Sequence, residues 1–268
     1  MRVSAIAALT SLALTLAFPV SAAPCASPDM TSRVTGGSEC LLIKTYRHDA
    51  GARASTLFVL LHGNHSNGSP AVSQFALAET LARTGGDGVV AVALIRPGYN
   101  DAEGNYSTGN AASRGDNFTA ANNDIVAAAI GRLTAFHQAR RLVLIGHSGG
   151  AAMVGAILGR HPGLADAGLL IGCPCDVPAW RAMRGRRDRW DSESALDYVD
   201  RLPAQTRLSI VVGARDDVTP LSLSQAYAQA LAARGIAHEL IVVADSDHVQ
   251  VIRSPQVTAA ALRLLEVE

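Results

Sequence analysis

The sequence predicts an α/β protein: one mostly parallel β-sheet covered by helices on both faces. Three observations point there. Short runs rich in Val, Leu and Ile recur along the 268 residues without polar alternation, the pattern of strands buried on both faces. Between them lie segments whose apolar residues repeat at helical spacing. Hydrophobic residues make up 49% of the chain and charged residues 17%, which supplies the large core that such a layered sheet encloses.

The elements follow in order. Arg2, the apolar run over 3–20 and the small residues Ser21, Ala22 and Ala23 have the form of a secretory signal peptide spanning 1–23. The run approaches the length of a membrane anchor, but Pro19 interrupts it and the small residues favour cleavage. Residues 24–268 are then expected to form one domain, burying about three quarters of its unfolded surface. Residues 41–46 read as a short strand, and 57–61 as a buried strand that stops at His62-Gly63. Residues 71–84 have near-helical spacing, and 89–95 form the next buried strand, ending at Arg96-Pro97-Gly98. A polar loop with Gly104, Gly109 and Gly115 leads to a helix that Asp116 or Asn117 could cap, its apolar stripe running from Phe118 to Phe136. Strands are expected at 142–145, 168–171, 208–212 and 240–243, with helices directly after Gly150, over 222–233 and over 257–265. Right-handed crossovers place the C-terminal ends of all parallel strands on one edge, where such sheets bind ligands.

The formal net charge is zero, so no long-range field would gather nucleic acid or acidic lipid. No later apolar run is long enough for stable membrane insertion once the leader is removed. Export would place Cys25, Cys40, Cys173 and Cys175 in an oxidising compartment, where disulfides are the default. Of the three possible pairings, one joining Cys25 to Cys40 would tie the N-terminal arm to the sheet. A bridge across Pro174 would close a small strained ring, so separate pairing, free thiols or a redox role stay open for Cys173 and Cys175.

The chemistry concentrates at the strand ends. Gly146-His147-Ser148-Gly149-Gly150 is Gly-x-Ser-x-Gly placed between a strand and a helix, a turn that lifts a serine hydroxyl clear of the backbone and needs glycine on either side. A serine hydroxyl is a weak nucleophile without a base, itself held by an acid. His248 follows the strand at 240–243, whereas His238 precedes it on the wrong edge, so His248 is the expected base. Asp216 is the expected acid, three residues after Gly213, ahead of Asp217 and the more remote Asp176. Asp245 and Asp247 read as loop residues that cap or solvate. The oxyanion formed on attack needs donors aimed at it in advance; the backbone N–H groups of Gly149 and Asn64 are the candidates. His62 is read as a structural residue pinning its loop, and His147 as packed against the elbow. No spaced Cys/His set completes a zinc site and no phosphate loop or dinucleotide fingerprint is present, so neither metal nor cofactor is expected.

Taken together, His62-Gly63-Asn64, Arg96-Pro97-Gly98-Tyr99, the elbow, the 213–220 segment and His248 resemble the α/β-hydrolase superfamily, within it the dienelactone hydrolase and prolyl oligopeptidase-like group. The resemblance implies a Ser-His-Asp triad on an eight-stranded, mostly parallel sheet, without a cofactor. Two departures qualify it. Dienelactone hydrolases carry a cysteine where this chain has Ser148, and 268 residues leave no room for the β-propeller of prolyl oligopeptidases. The segment between Cys175 and Leu202 is too short for a large lid domain, so an open site acting on small-molecule esters is expected. A peptidase or amidase with the same triad, and a non-catalytic binding protein on this fold, are the alternatives. Arg181, Arg184, Arg186, Arg187 and Arg189 could grip an anion or form a solvated face, and Tyr99, Tyr106 and Trp180 could line a pocket. Nothing in the pattern specifies an oligomeric state.

Overall fold

In the computed structural model, which describes residues 25–48, 54–111, 117–186 and 190–265, the apolar runs assemble into one eight-stranded sheet. The expected signal peptide over 1–23, with Asp116, Arg187 and Arg189, lies outside the described residues. The strands are β1 (Arg33–Gly36), β2 (Glu39–Arg47), β3 (Thr56–Leu61), β4 (Val89–Leu94), β5 (Arg141–His147), β6 (Ala167–Ile171), β7 (Arg207–Gly213) and β8 (His238–Val243). The helices are α1 (Phe75–Thr84), α2 (Ala120–His137), α3 (Gly149–Arg160), α4 (Val177–Met183), α5 (Leu221–Ala233) and α6 (Pro255–Arg263). Across the sheet the order is β1-β2-β4-β3-β5-β6-β7-β8. β2 runs antiparallel to β1 and β4, and every other pairing is parallel.

Two cores explain why the strands lack polar alternation. Successive side chains of a strand point to opposite faces. Leu57, Val59 and Leu61 join Val90, Val92, Leu142 and Leu144 on one face, under Val126, Ile130 and Leu133 of α2 and Met153, Val154 and Ile157 of α3. Phe58 and Leu60 join Ala91, Ala93, Val143 and Ile145 on the other, under Leu77 and Leu81 of α1 and Val257 and Ala261 of α6. Burying each large aliphatic side chain contributes roughly 1.5–3 kcal/mol, so a polar residue on either face would be costly.

The structure departs from the sequence expectations at several ends. β1 was not foreseen; it is only four residues long and pairs with β2 at the sheet edge. α1 begins at Phe75 rather than 71, because the preceding residues hold the loop: Ala71 N–H donates to the Asn100 carbonyl and Gln74 Nε2 to the Leu94 carbonyl. α2 is capped by Thr119, whose Oγ1 accepts from Asn122 N–H, and not by Asn117. The Asn117 amide instead donates to the carbonyls of Pro97 and Asn110. α6 starts at Pro255 behind the cap residue Ser254. α4, also unforeseen, begins after Asp176, whose carboxylate accepts from Ala179 N–H at 3.0 Å.

Both cysteine pairs are bonded. Cys25–Cys40 ties the segment ahead of β1 to the start of β2. Cys173 and Cys175 are also joined, which removes separate pairing and free thiols; the chain turns across Pro174 and brings their Cα atoms to 5.0 Å, within ordinary disulfide range. Between β6 and β7 the described residues form only α4 and a 3₁₀ turn at Ala195–Arg201, with no large lid. No helix among the described residues is long and apolar enough to cross a membrane.

Candidate active site

The site forms where β5 gives way to α3. Ser148 occupies that junction with φ 55° and ψ −122°, a conformation that L-residues seldom adopt. Its N–H donates to the Ile171 carbonyl at 2.8 Å, and its own carbonyl accepts from Ala151 N–H at 2.9 Å. The turn is therefore pinned on one side by β6 and on the other by the first turn of α3. Gly150 makes that packing possible: a Cβ there would sit 2.5 Å from the carbonyl oxygens of Leu61 and His62.

The loop after β8 brings His248 against this serine. Ser148 Oγ–H donates to His248 Nε2 at 2.9 Å, and His248 Nδ1–H donates to Asp216 Oδ2 at 2.8 Å. Asp216 lies in the loop after β7 with its side chain fully enclosed. Its Oδ1 accepts from the N–H groups of Val218 and Thr219 at 3.0 and 2.7 Å, and its Oδ2 from Thr219 Oγ1 at 2.8 Å. Burial pushes this carboxyl up, but the bonds from His248 and Thr219 outweigh it and hold the group below the usual carboxylate range. An ionised Asp216 can only accept, so it fixes the proton on His248 Nδ1 and leaves Nε2 bare toward the serine hydroxyl. Asp217 is exposed, Asp176 caps α4, and Asp247 accepts from Val249 and Gln250 N–H within its own turn.

The other histidines brace the site. His147 stacks on His248 with ring centroids 4.9 Å apart and donates through Nε2–H to the His248 carbonyl at 2.8 Å. Burial first, then the neighbouring His248, pushes its pKa down to about 4, so the ring is neutral at neutral pH. His62, fully buried, accepts from Arg96 N–H at Nε2 and donates from Nδ1–H to the Gly63 carbonyl. The loop that holds Asn64 lies against the elbow, since a Cβ on Gly63 would stand 3.1 Å from Ser148 Cβ.

Some expected pocket residues sit elsewhere. Tyr99 is fully buried between His62 and Arg96, not at a substrate surface. Tyr106 is exposed. Trp180 donates through Nε1 to the Val218 carbonyl at 2.8 Å and so steadies the loop that carries Asp216. Arg181 is buried against the Trp190 ring at 3.7 Å, so it is no part of a solvated face. Among the described residues no group of three or more His, Cys, Asp or Glu could hold a metal ion. Thr219 was missed by sequence reasoning, although an Asp three residues ahead of a Thr and just before Pro220 is the spacing of a side-chain-capped turn.

Among parallel α/β sheets, a serine raised on such a turn with an imidazole against its hydroxyl marks the serine hydrolases of the α/β-hydrolase fold, and this chain is one of them. The family is also defined: the model of the prolyl oligopeptidase family matches residues 89–266, more than half of the chain, and the chain belongs to that family. Solved structures share the fold at low identity. The Pyrococcus furiosus esterase Pf2001 is 16% identical with a TM-score of 0.65, covering 87% of this chain and 90% of its own. Est1E from Butyrivibrio proteoclasticus with bound ferulic acid is 14% identical with a TM-score of 0.63, covering 87% and 95%. Porphyromonas gingivalis dipeptidyl peptidase 4 is 17% identical with a TM-score of 0.63, covering 87% of this chain but 34% of its own. A comparison with curated protein sequences finds no significant match.

Proposed function

We propose that this protein is an exported carboxylic ester hydrolase that works through Ser148, His248 and Asp216. The observation that carries the reading is the hydrogen-bonded succession of Ser148 Oγ, His248 and Asp216 at 2.9 and 2.8 Å. His248 Nε2 takes the proton as Ser148 Oγ bonds to the ester carbonyl carbon, and the carbonyl oxygen becomes an oxyanion facing the N–H groups of Gly149 and Asn64. The intermediate collapses as the C–O bond to the alcohol breaks, and His248 Nε2–H hands its proton to the departing alkoxide. Water, deprotonated by His248, then attacks the acyl-enzyme; collapse of that second intermediate returns the proton to Ser148 Oγ and releases the acid. Asp216 stays ionised throughout and stabilises the imidazolium.

Esters are favoured over peptides because an alkoxide leaves more readily than an amine and no large lid restricts the site. The two small neighbours called esterases or crystallised with ferulic acid match over almost their whole length, whereas the peptidase neighbour matches over about a third. Two disulfides suit an oxidising, extracytoplasmic setting, in keeping with the expected leader. Turnover of a chromogenic short-chain ester should fall about a million-fold in Ser148→Ala, and a fluorophosphonate probe should label the wild type alone. Near-native turnover in the variant would end the proposal. Faster cleavage of peptide anilides than of matched esters would replace it with the peptidase reading, which the family match favours.

A further inference from the structure

Arg96 stands two residues beyond the end of β4 and is fully buried. A guanidinium offers five N–H donors and accepts nothing, and enclosing one without a counter-charge is costly. Its Nη2 donates to Asn64 Oδ1 at 2.6 Å and to the Tyr99 hydroxyl at 3.0 Å. Among the described residues its Nε and Nη1 meet no acceptor, and no carboxylate is among its partners. The side chain is turned toward the elbow: a Cβ on Gly149 would overlap Asn64 Oδ1 and lie 3.0 Å from Arg96 Nη1. The Asn64–Arg96 pair thus occupies the space beside the residue that follows the nucleophile, which explains why that position is glycine.

We propose that Arg96 is a positioning residue for the oxyanion: it grips the Asn64 side chain, holds the 62–65 loop against Gly149, and sets an unneutralised positive charge beside the developing negative one. The inference rests on Ser148 being the nucleophile. Its physical basis is preorganisation, since donors and charges fixed in a water-poor corner need no rearrangement when the intermediate forms. A counter-ion at Arg96 would cancel that field, and none of the described residues supplies one there.

The test compares Arg96→Met, Arg96→Lys and Asn64→Ala with the wild type, each normalised by fluorophosphonate titration. Readouts are kcat and KM on a chromogenic short-chain ester, and the affinity of an alkyl trifluoromethyl ketone, which adds to the serine as a tetrahedral anion. In Arg96→Met, kcat should fall at least about tenfold, with a matching loss of ketone affinity and KM changed by less than about threefold. Arg96→Lys should recover part of both. A folded Arg96→Met protein with wild-type kcat and ketone affinity would overturn the proposal. Should that variant not fold, Asn64→Ala decides: it severs the link without removing the charge, and undiminished kcat there also overturns the proposal. Failure of the underlying reading looks different, because then the wild type itself would resist the fluorophosphonate and Ser148→Ala would keep its turnover.

Discussion

Ser148 combines two demands on one residue. Its φ of 55° and ψ of −122° lie outside the regions open to a residue with a Cβ, a strain of about 1–3 kcal/mol, and the surrounding bonds to Ile171 and Ala151 hold it there. Ser148→Gly should therefore be more stable than Ser148→Ala by about 1 kcal/mol, the relief of strain exceeding the extra chain entropy of glycine. Urea unfolding of the two variants gives the comparison, and equal midpoints would show that the turn is unstrained. At this scale the sequence was informative where a residue follows an apolar strand: Ser148, Asp216 and His248 could be singled out that way, and the structure brings their side chains together. It was uninformative where a role depends on enclosure. Arg96 and Tyr99 sit in a polar loop segment, and nothing in the chain announces that both are fully buried.

Between elements, the bond that joins the end of β5 to the loop after β8 runs through His147 to the His248 carbonyl. This ring has its pKa pushed down to about 4 by burial and by His248, against an ordinary value near 6.5 in the unfolded chain. The unfolded state thus binds more protons between those values, and stability must fall as pH drops from about 6.5 to about 4. Integrated over that window the loss is about 3 kcal/mol. His147→Gln can still donate to the carbonyl but cannot titrate, so its unfolding free energy should decline less steeply over the same range. Parallel profiles for the two proteins would show that His147 carries none of the dependence. The same elements show what the sequence makes legible. Strands buried on both faces announce themselves as unbroken apolar runs, so β3 to β7 were all visible. β1 and α4 were not, because four and seven residues are too few to establish a period against their surroundings.

For the molecule as a whole, the weak point is the edge at β1, which has one neighbouring strand and leans on α2. The Cys25–Cys40 bridge closes a sequence separation of 15 residues across this edge, and a loop of that size restricts the unfolded chain by about 3 kcal/mol. The bridge lies three strands away from β5 in the sheet order, so it acts on stability and not on the site. Replacing both cysteines, Cys25→Ser with Cys40→Ser, should lower the unfolding free energy by about 3 kcal/mol while leaving kcat on a short-chain ester within about twofold of the wild type. The edge would then open before the rest, and hydrogen exchange should quicken in β1 and β2 well ahead of β5 and β6. Uniform exchange across the sheet would mean that the edge and the centre unfold as one unit, with the bridge stabilising both alike.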